Sequence, residues 1–308
     1  MMRIVFMGTP AFAVPSLEAL LKDGYEISAV VTAPDKPRGR GRQVSSTPVK
    51  DFAESRGLPI LQPEHLRDKE FFAALQSMNP DLIVVVAFRI LPKEIFSLPR
   101  LGSFNLHASL LPKYRGAAPI NWALINGENE TGVTSFFLEE KVDTGSLLIQ
   151  ESIGIGENET AGELHDRLAV LGADVVSRTV QMIAAGTVHA TIQDERLASP
   201  APKIFKDDCR ILWTQPAWKL WNFIRGLSPH PCAWTNYKGK GIRIHRAVPV
   251  EGARSAPGEI LEVTKDSLCV GTGSGALSII EIQQEGKKKL GIEEFLRGCS
   301  MRRGERFE

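Results

Sequence analysis

The sequence predicts an α/β protein in two parts: a Rossmann-like, mostly parallel sheet domain, then a small β-barrel of the oligonucleotide-binding kind. Three observations predict it. Short apolar runs alternate with amphipathic helical stretches through the first half, the pattern of strands covered on both faces by crossover helices. Periodicity then lapses and Pro and polar residues accumulate up to residue 206. Beyond that point short strands punctuated by glycine follow one another closely, as in small barrels. A length of 308 residues also favours two cores over one. The expected division is a catalytic domain over 1–186, a linker over 187–206 and a β-barrel domain over 207–308.

"RIVFMG" (3–8) reads as a buried strand. Thr9 and Pro10 then offer an N-cap and a first-turn proline, and apolar residues at 12, 14, 17, 20 and 21 form a helical stripe ending near Gly24. Further strands are expected at 26–32, 81–88 and 102–108, with helices at 47–56 and 68–77. Residues 132–140 and 145–155 suit an antiparallel pair, and 161–185 one long amphipathic helix. In the last part "PAWKLWNFIRG" is a short helix, and strands are expected at 233–238, 241–248, 257–264, 267–271 and 276–284.

Composition narrows the class. With 43% hydrophobic and 24% charged residues the chain is typical of globular proteins. The first strand begins without a basic region and cleavage site, and no apolar run approaches the roughly 20 residues of a membrane span, so a cytoplasmic protein is expected, and with no obligate protein partner evident, a monomer. Cys209, Cys232, Cys269 and Cys299 are scattered, which suits free thiols in a reducing compartment, and no metal-ligand spacing occurs. Residues 207–308 carry 16 Lys/Arg against 12 Asp/Glu, and Lys36, Arg38, Arg40 and Arg42 cluster in "PDKPRGRGRQ". Such asymmetry suits a polyanionic partner.

The candidate chemistry lies in "NLHASLLPKYRGAAPINWAL" (105–124). Asn105 and His107 are two apart on an expected strand, so both side chains share one face, at the carboxyl end where open parallel sheets bind ligands. An amide can stabilise an oxyanion, and a neutral imidazole can take a proton near neutral pH. A carboxylate partner is expected from Asp143 in "KVDTGS", with Glu139 and Glu140 as rivals. No Gly-x-Ser-x-Gly motif and no Cys near the pair offers a nucleophile, which points to an acceptor that brings its own amine. "FMGTP" has neither a dinucleotide fingerprint nor a Walker lysine.

Taken together these segments resemble the methionyl-tRNA formyltransferase branch of the folate-dependent formyltransferase family over nearly the whole chain. "FMGTPAFAVPSLEALL", "PDKPRGRGRQVSSTPVK", "NLHASLLPKYRGAAPINWAL", "VDTGSLL" and "KIFKDDCRILW" carry the resemblance. It implies 10-formyltetrahydrofolate as formyl donor and the α-amino group of initiator methionyl-tRNA as acceptor. It also implies Asn105, His107 and Asp143 as the catalytic trio, and Ser109, Leu110, Leu111 and Pro112 as a folate-contacting turn. Lys36, Arg38, Arg40 and Arg42 would meet the acceptor stem, and 207–308 would help hold the tRNA. The chain departs from the family pattern at "AFRILP" (87–92), one residue shorter, with Arg89 replacing a glycine-containing turn where pterin contacts are implied at 86–91. Two other readings stay open: a related transferase or hydrolase acting on a small amine or on the formyl-folate itself, and an RNA-binding protein without catalysis.

Overall fold

The computed structural model describes residues 2–38, 43–252 and 256–308. The chain divides into two compact units, Met1–Gly116 with Gly132–Ile153 and His165–Pro200, and Ala117–Thr131 with Gly154–Leu164 and Ala201–Glu308.

A seven-stranded sheet organises the first unit. In chain order its strands are β1 (Arg3–Gly8), β2 (Glu26–Val31), β3 (Ile60–Leu61), β4 (Leu82–Val86), β5 (Ser103–His107), β6 (Glu130–Phe137) and β7 (Leu147–Gly154), laid side by side as β7-β6-β5-β4-β1-β2-β3. β3, β2, β1, β4 and β5 pair in parallel, and β6 runs antiparallel to β5. The expected mostly parallel sheet is therefore present. Alternate residues of the central strands go to opposite faces. Val5, Met7, Ile83 and Val85 meet Phe71 and Leu75 of the helix Lys69–Met78 in one core.

The helix Ala161–Ala185 has the expected bounds, and by length and composition it could cross a membrane, contrary to the expectation that no run would suffice. It is instead packed on the sheet. Leu164, Leu168, Val175, Val176, Val180 and Ile183 are buried at helical spacing. A Cβ at Gly172 would press into Leu106 of β5, and Thr179 shares a hydrogen bond with Ser135 of β6 at 2.7 Å.

One further expectation is revised. Thr9 does not cap the first helix: a short 3-10 turn at Ala11–Ala13 intervenes, the helix proper is Val14–Lys22, and neither start has a side-chain cap. Gly8 is needed because a Cβ there would crowd Ala13 and the Val86 carbonyl. Around the basic stretch the chain forms a strand pair not read from the sequence, Lys36–Arg38 with Gln43–Ser45. Thr47 caps the helix Pro48–Ser55 through its hydroxyl, which accepts from Lys50 N at 3.1 Å.

The second unit has the expected antiparallel β structure. β8 (Ala233–Tyr237), β9 (Lys240–Val250), β10 (Ile260–Val263), β11 (Leu268–Gly271) and β12 (Ala276–Gln284) run β8-β9-β12-β11-β10, with Leu290–Gly291 added to β12. The last residues close this sheet. On one edge Ile260 N donates to Glu305 O, Gly304 N to Ile260 O and Phe307 N to Gly258 O; on the other Asn236 and Glu308 exchange backbone bonds of 3.0 and 2.9 Å. The barrel core gathers Trp213, Leu220, Ile224, Ile244, Val270, Ile279 and Phe307.

Candidate active site

The strand β5 does what its spacing predicts. Asn105 and His107 lie on one face, and His107 ends the strand. Asn105 is half-buried, and its amide has no hydrogen-bond partner among the described residues. His107 is buried, and its Nε2 is 2.8 Å from the Tyr114 carbonyl oxygen. A carbonyl only accepts, so Nε2 carries the proton and Nδ1 holds the lone pair. The Tyr114 carbonyl therefore selects the tautomer.

Asp143 faces the other nitrogen. Its Oδ2 is 3.9 Å from His107 Nδ1, too far for a hydrogen bond. The same oxygen accepts from Gly116 N at 2.9 Å. Of the three candidate carboxylates this is the one brought to the imidazole, while Glu140 is bound to Lys93. The Asp-Thr-Gly stretch owes its shape to two constraints. Asp143 adopts φ 54, a left-handed conformation unusual for a residue with a side chain. Gly145 lies so close to Phe137 that a Cβ would overlap its carbonyl oxygen.

The Ser-Leu-Leu-Pro turn is tied down from behind. The Thr134 hydroxyl donates to Ser109 O at 2.6 Å and accepts from Leu111 N at 3.1 Å, and Gln150 Nε2 donates to Leu111 O at 2.7 Å. Ser109 is fully buried and its hydroxyl closes the turn on Lys113 O. Leu111 is buried, whereas Leu110 and Pro112 are partly exposed and give the turn its apolar surface.

At the departure from the family pattern, Ala87 takes φ 49 and the Arg89 guanidinium crosses to the carbonyl oxygens of Glu64 and Pro63 at 2.9 and 2.8 Å. Arg89, Ile90, Leu91 and Pro92 line a cleft of about 730 Å³ together with Glu64–Arg67. Of the basic cluster, Lys36 is exposed and Arg38 belongs to the short strand pair; Arg40 and Arg42 lie outside the described residues. All four cysteines are free thiols, and among the described residues no group of three or more His, Cys, Asp or Glu could hold a metal.

Sequence reasoning missed Gln193 and singled out Tyr114 and Arg115 only as substrate-side contacts without assigned roles. Arg115 Nε and Nη2 donate to Gln193 Oε1, and Gln193 Nε2 donates to the carbonyl oxygens of Asp143 and Gly145. Arg115 was visible in the motif as a basic residue without a role, but nothing in the sequence near Gln193 marks it.

The chain belongs to a class, the formyl transferases, by its match to that family over most of its length. The formyl transferase family matches residues 2–180 and its C-terminal domain residues 203–300. Within that class the chain belongs to the methionyl-tRNA formyltransferase family. It is 50% identical over 306 residues to the methionyl-tRNA formyltransferase of Caldanaerobacter subterraneus subsp. tengcongensis, covering 98% of this chain and 99% of the relative. It is 47% identical over 307 residues to that of Geobacter metallireducens, covering 99% and 98%. The fold is also that of HypX from Aquifex aeolicus, solved in complex with tetrahydrofolic acid, with a TM-score of 0.66 at 20% identity. That match covers 96% of this chain and 47% of HypX, so the chain spans about half the length of that protein.

Proposed function

We propose that this protein transfers the formyl group of 10-formyltetrahydrofolate to the α-amino group of initiator methionyl-tRNA, giving the N-formylated aminoacyl-tRNA that starts translation. The near-full-length likeness to methionyl-tRNA formyltransferases carries the choice of acceptor. The chemistry is assigned to Asn105, His107 and Asp143, with the 3.9 Å between His107 and Asp143 in support.

An α-amino group titrates near about 8, so a substantial fraction is already neutral and nucleophilic at physiological pH. It attacks the formyl carbon. The Asn105 amide, which has no competing partner among the described residues, donates to the oxygen as it becomes anionic. The proton released by the attacking nitrogen passes to His107 Nδ1, whose lone pair is exposed by the bond from Nε2 to Tyr114 O. Asp143 stabilises the resulting imidazolium at 3.9 Å. The proton then goes to the folate nitrogen as its bond to the formyl carbon breaks. Asp143 is never required to take a proton.

In this reading Ser109, Leu110, Leu111 and Pro112 form the wall against which the folate lies, with Leu110 and Pro112 supplying surface and Ser109 holding the turn. Lys36, Arg38, Arg40 and Arg42 contact the acceptor stem, and residues 207–308 help hold the tRNA, as a monomer in the cytoplasm. The test is formyl transfer from 10-formyltetrahydrofolate to methionyl initiator tRNA, with uncharged tRNA and methionyl elongator tRNA as controls. Turnover on free amino sugars or hydrolysis of the formyl-folate, without transfer to the tRNA, would defeat the proposal.

A further inference from the structure

Gln193 belongs to a stretch with no helical or strand periodicity, yet it is only 5% exposed. The chain around it is held rather than loose. Thr191 exchanges backbone bonds of 2.8 and 2.9 Å with Leu147, and Ser199 receives Tyr114 N on its hydroxyl and Arg115 N on its carbonyl, both at 2.9 Å. From that position Gln193 reaches the loop that carries Asp143. Its Nε2 donates to the carbonyl oxygens of Asp143 at 3.0 Å and Gly145 at 2.8 Å. Its Oε1 accepts from Arg115 Nε at 3.1 Å and Nη2 at 2.7 Å.

The chemistry leaves one orientation for this amide. A guanidinium only donates and a carbonyl only accepts, so turning the amide over would break all four bonds. Arg115 is held in turn by Glu195, which takes Nη1 at 3.0 Å and Nη2 at 2.8 Å. The two carbonyls that Gln193 grips flank Thr144, within the turn where Asp143 takes its left-handed conformation. A turn of that kind persists only where its surroundings hold it.

We infer that Gln193 is a positioning residue: it clamps the 143–145 turn so that the Asp143 carboxylate faces His107 Nδ1, with Arg115 fixing the amide and Glu195 fixing Arg115. The inference rests on the reading above, in which Asp143 serves His107.

The test is a double-mutant cycle in the formyl-transfer assay. Gln193→Glu keeps the side-chain length and an oxygen for Arg115, but as a carboxylate it cannot donate to the two carbonyls. It should lower kcat about ten- to a hundredfold, the loss expected when a catalytic group is misplaced. KM for methionyl-tRNA should move far less, because the tRNA-facing groups are untouched. In an Asp143→Asn background the same change should cost little more, since the group it positions is already lost. Arg115→Lys keeps the charge but loses the fork, and should lower kcat in the same direction, so the inference stays testable if Gln193→Glu does not fold. Wild-type kcat in Gln193→Glu, beside an impaired Asp143→Asn, would overturn the positioning role alone. So would an equal loss in both backgrounds, which would mean Gln193 acts elsewhere. Wild-type turnover in Asp143→Asn would instead overturn the reading of Asp143, and this inference with it.

Discussion

His107 Nε2–H donates a hydrogen bond to the carbonyl oxygen of Tyr114 at 2.8 Å, and that one bond leaves the lone pair of the neutral ring on Nδ1. Tyr114 can present its carbonyl there because it sits in the left-handed region, at φ 63, immediately before the Arg115–Gly116 segment. In the neutral protein His107 is therefore the Nε2–H tautomer. Nitrogen chemical shifts of the labelled imidazole should show this directly, and an Nδ1–H signal would contradict the proton path proposed here.

Asn105→Ala removes the amide expected to donate to the oxyanion. Loss of one such donor costs roughly a hundred- to a thousandfold in kcat. Since the amide has no protein partner among the described residues, the midpoint of thermal unfolding should barely move. Wild-type kcat with an unchanged melting profile would remove Asn105 from the mechanism.

Gly145→Ala forces a methyl group into the Phe137 carbonyl. The turn must shift or the strand must bend, at a cost of about 1–3 kcal/mol by analogy with other overpacked sites. Asp143 lies two residues away, so kcat should fall along with stability. Denaturant titration and single-turnover assays on the same preparation would separate the two effects.

Burial pushes the Cys232 thiol up to about 12, and its sulfur lies 3.5 Å from His245 Nδ1. In the unfolded chain the same thiol ionises near its ordinary value of 9.0. The unfolded state therefore sheds a proton that the folded state keeps, and the contribution to stability is fully present below pH 9.0 and is lost as pH rises towards about 12. Cys232→Ala should flatten this alkaline branch of the unfolding curve. Native Cys232 should also resist thiol reagents at pH 8 until denaturant is added.

The basic stretch predicts a separable defect. Arg40→Ala should weaken use of methionyl-tRNA and reduce the slope of log affinity against log salt by about 1, leaving folate binding intact. Fluorescence titration with a folate analogue and filter binding of tRNA over a salt series would read the two properties independently. A loss of folate binding would contradict the division of labour.

Much of the first unit is legible in the sequence because buried parallel strands must be continuously apolar. β1 and the long helix 161–185 have the expected bounds, and β2, β4 and β5 differ from theirs by one or two residues at the ends. The helices Pro119–Ile125 and Ile292–Gly298 went unread because each has only seven residues, too few for the periodicity to stand out. The membrane question also needed the fold. Composition alone passes 161–185 as a span, and only its packing on Leu106 and Ser135 marks it as a core helix.

The sequence by itself determined that Asn105 and His107 share a face, since a strand's two-residue period leaves no other arrangement. It also supplied the absence of a nearby nucleophile and the glycine that an overlapping carbonyl requires at 145. Tertiary structure alone decided that Asp143 rather than Glu139 or Glu140 meets the imidazole, that Tyr114 selects its tautomer, and that Gln193 and Arg115 hold the turn. It likewise decided that residues 304–308 close the barrel. The physical reason is one of range. Periodicity fixes direction within an element, whereas the 3.9 Å between His107 and Asp143 depends on a left-handed turn whose supporting groups come from distant parts of the chain.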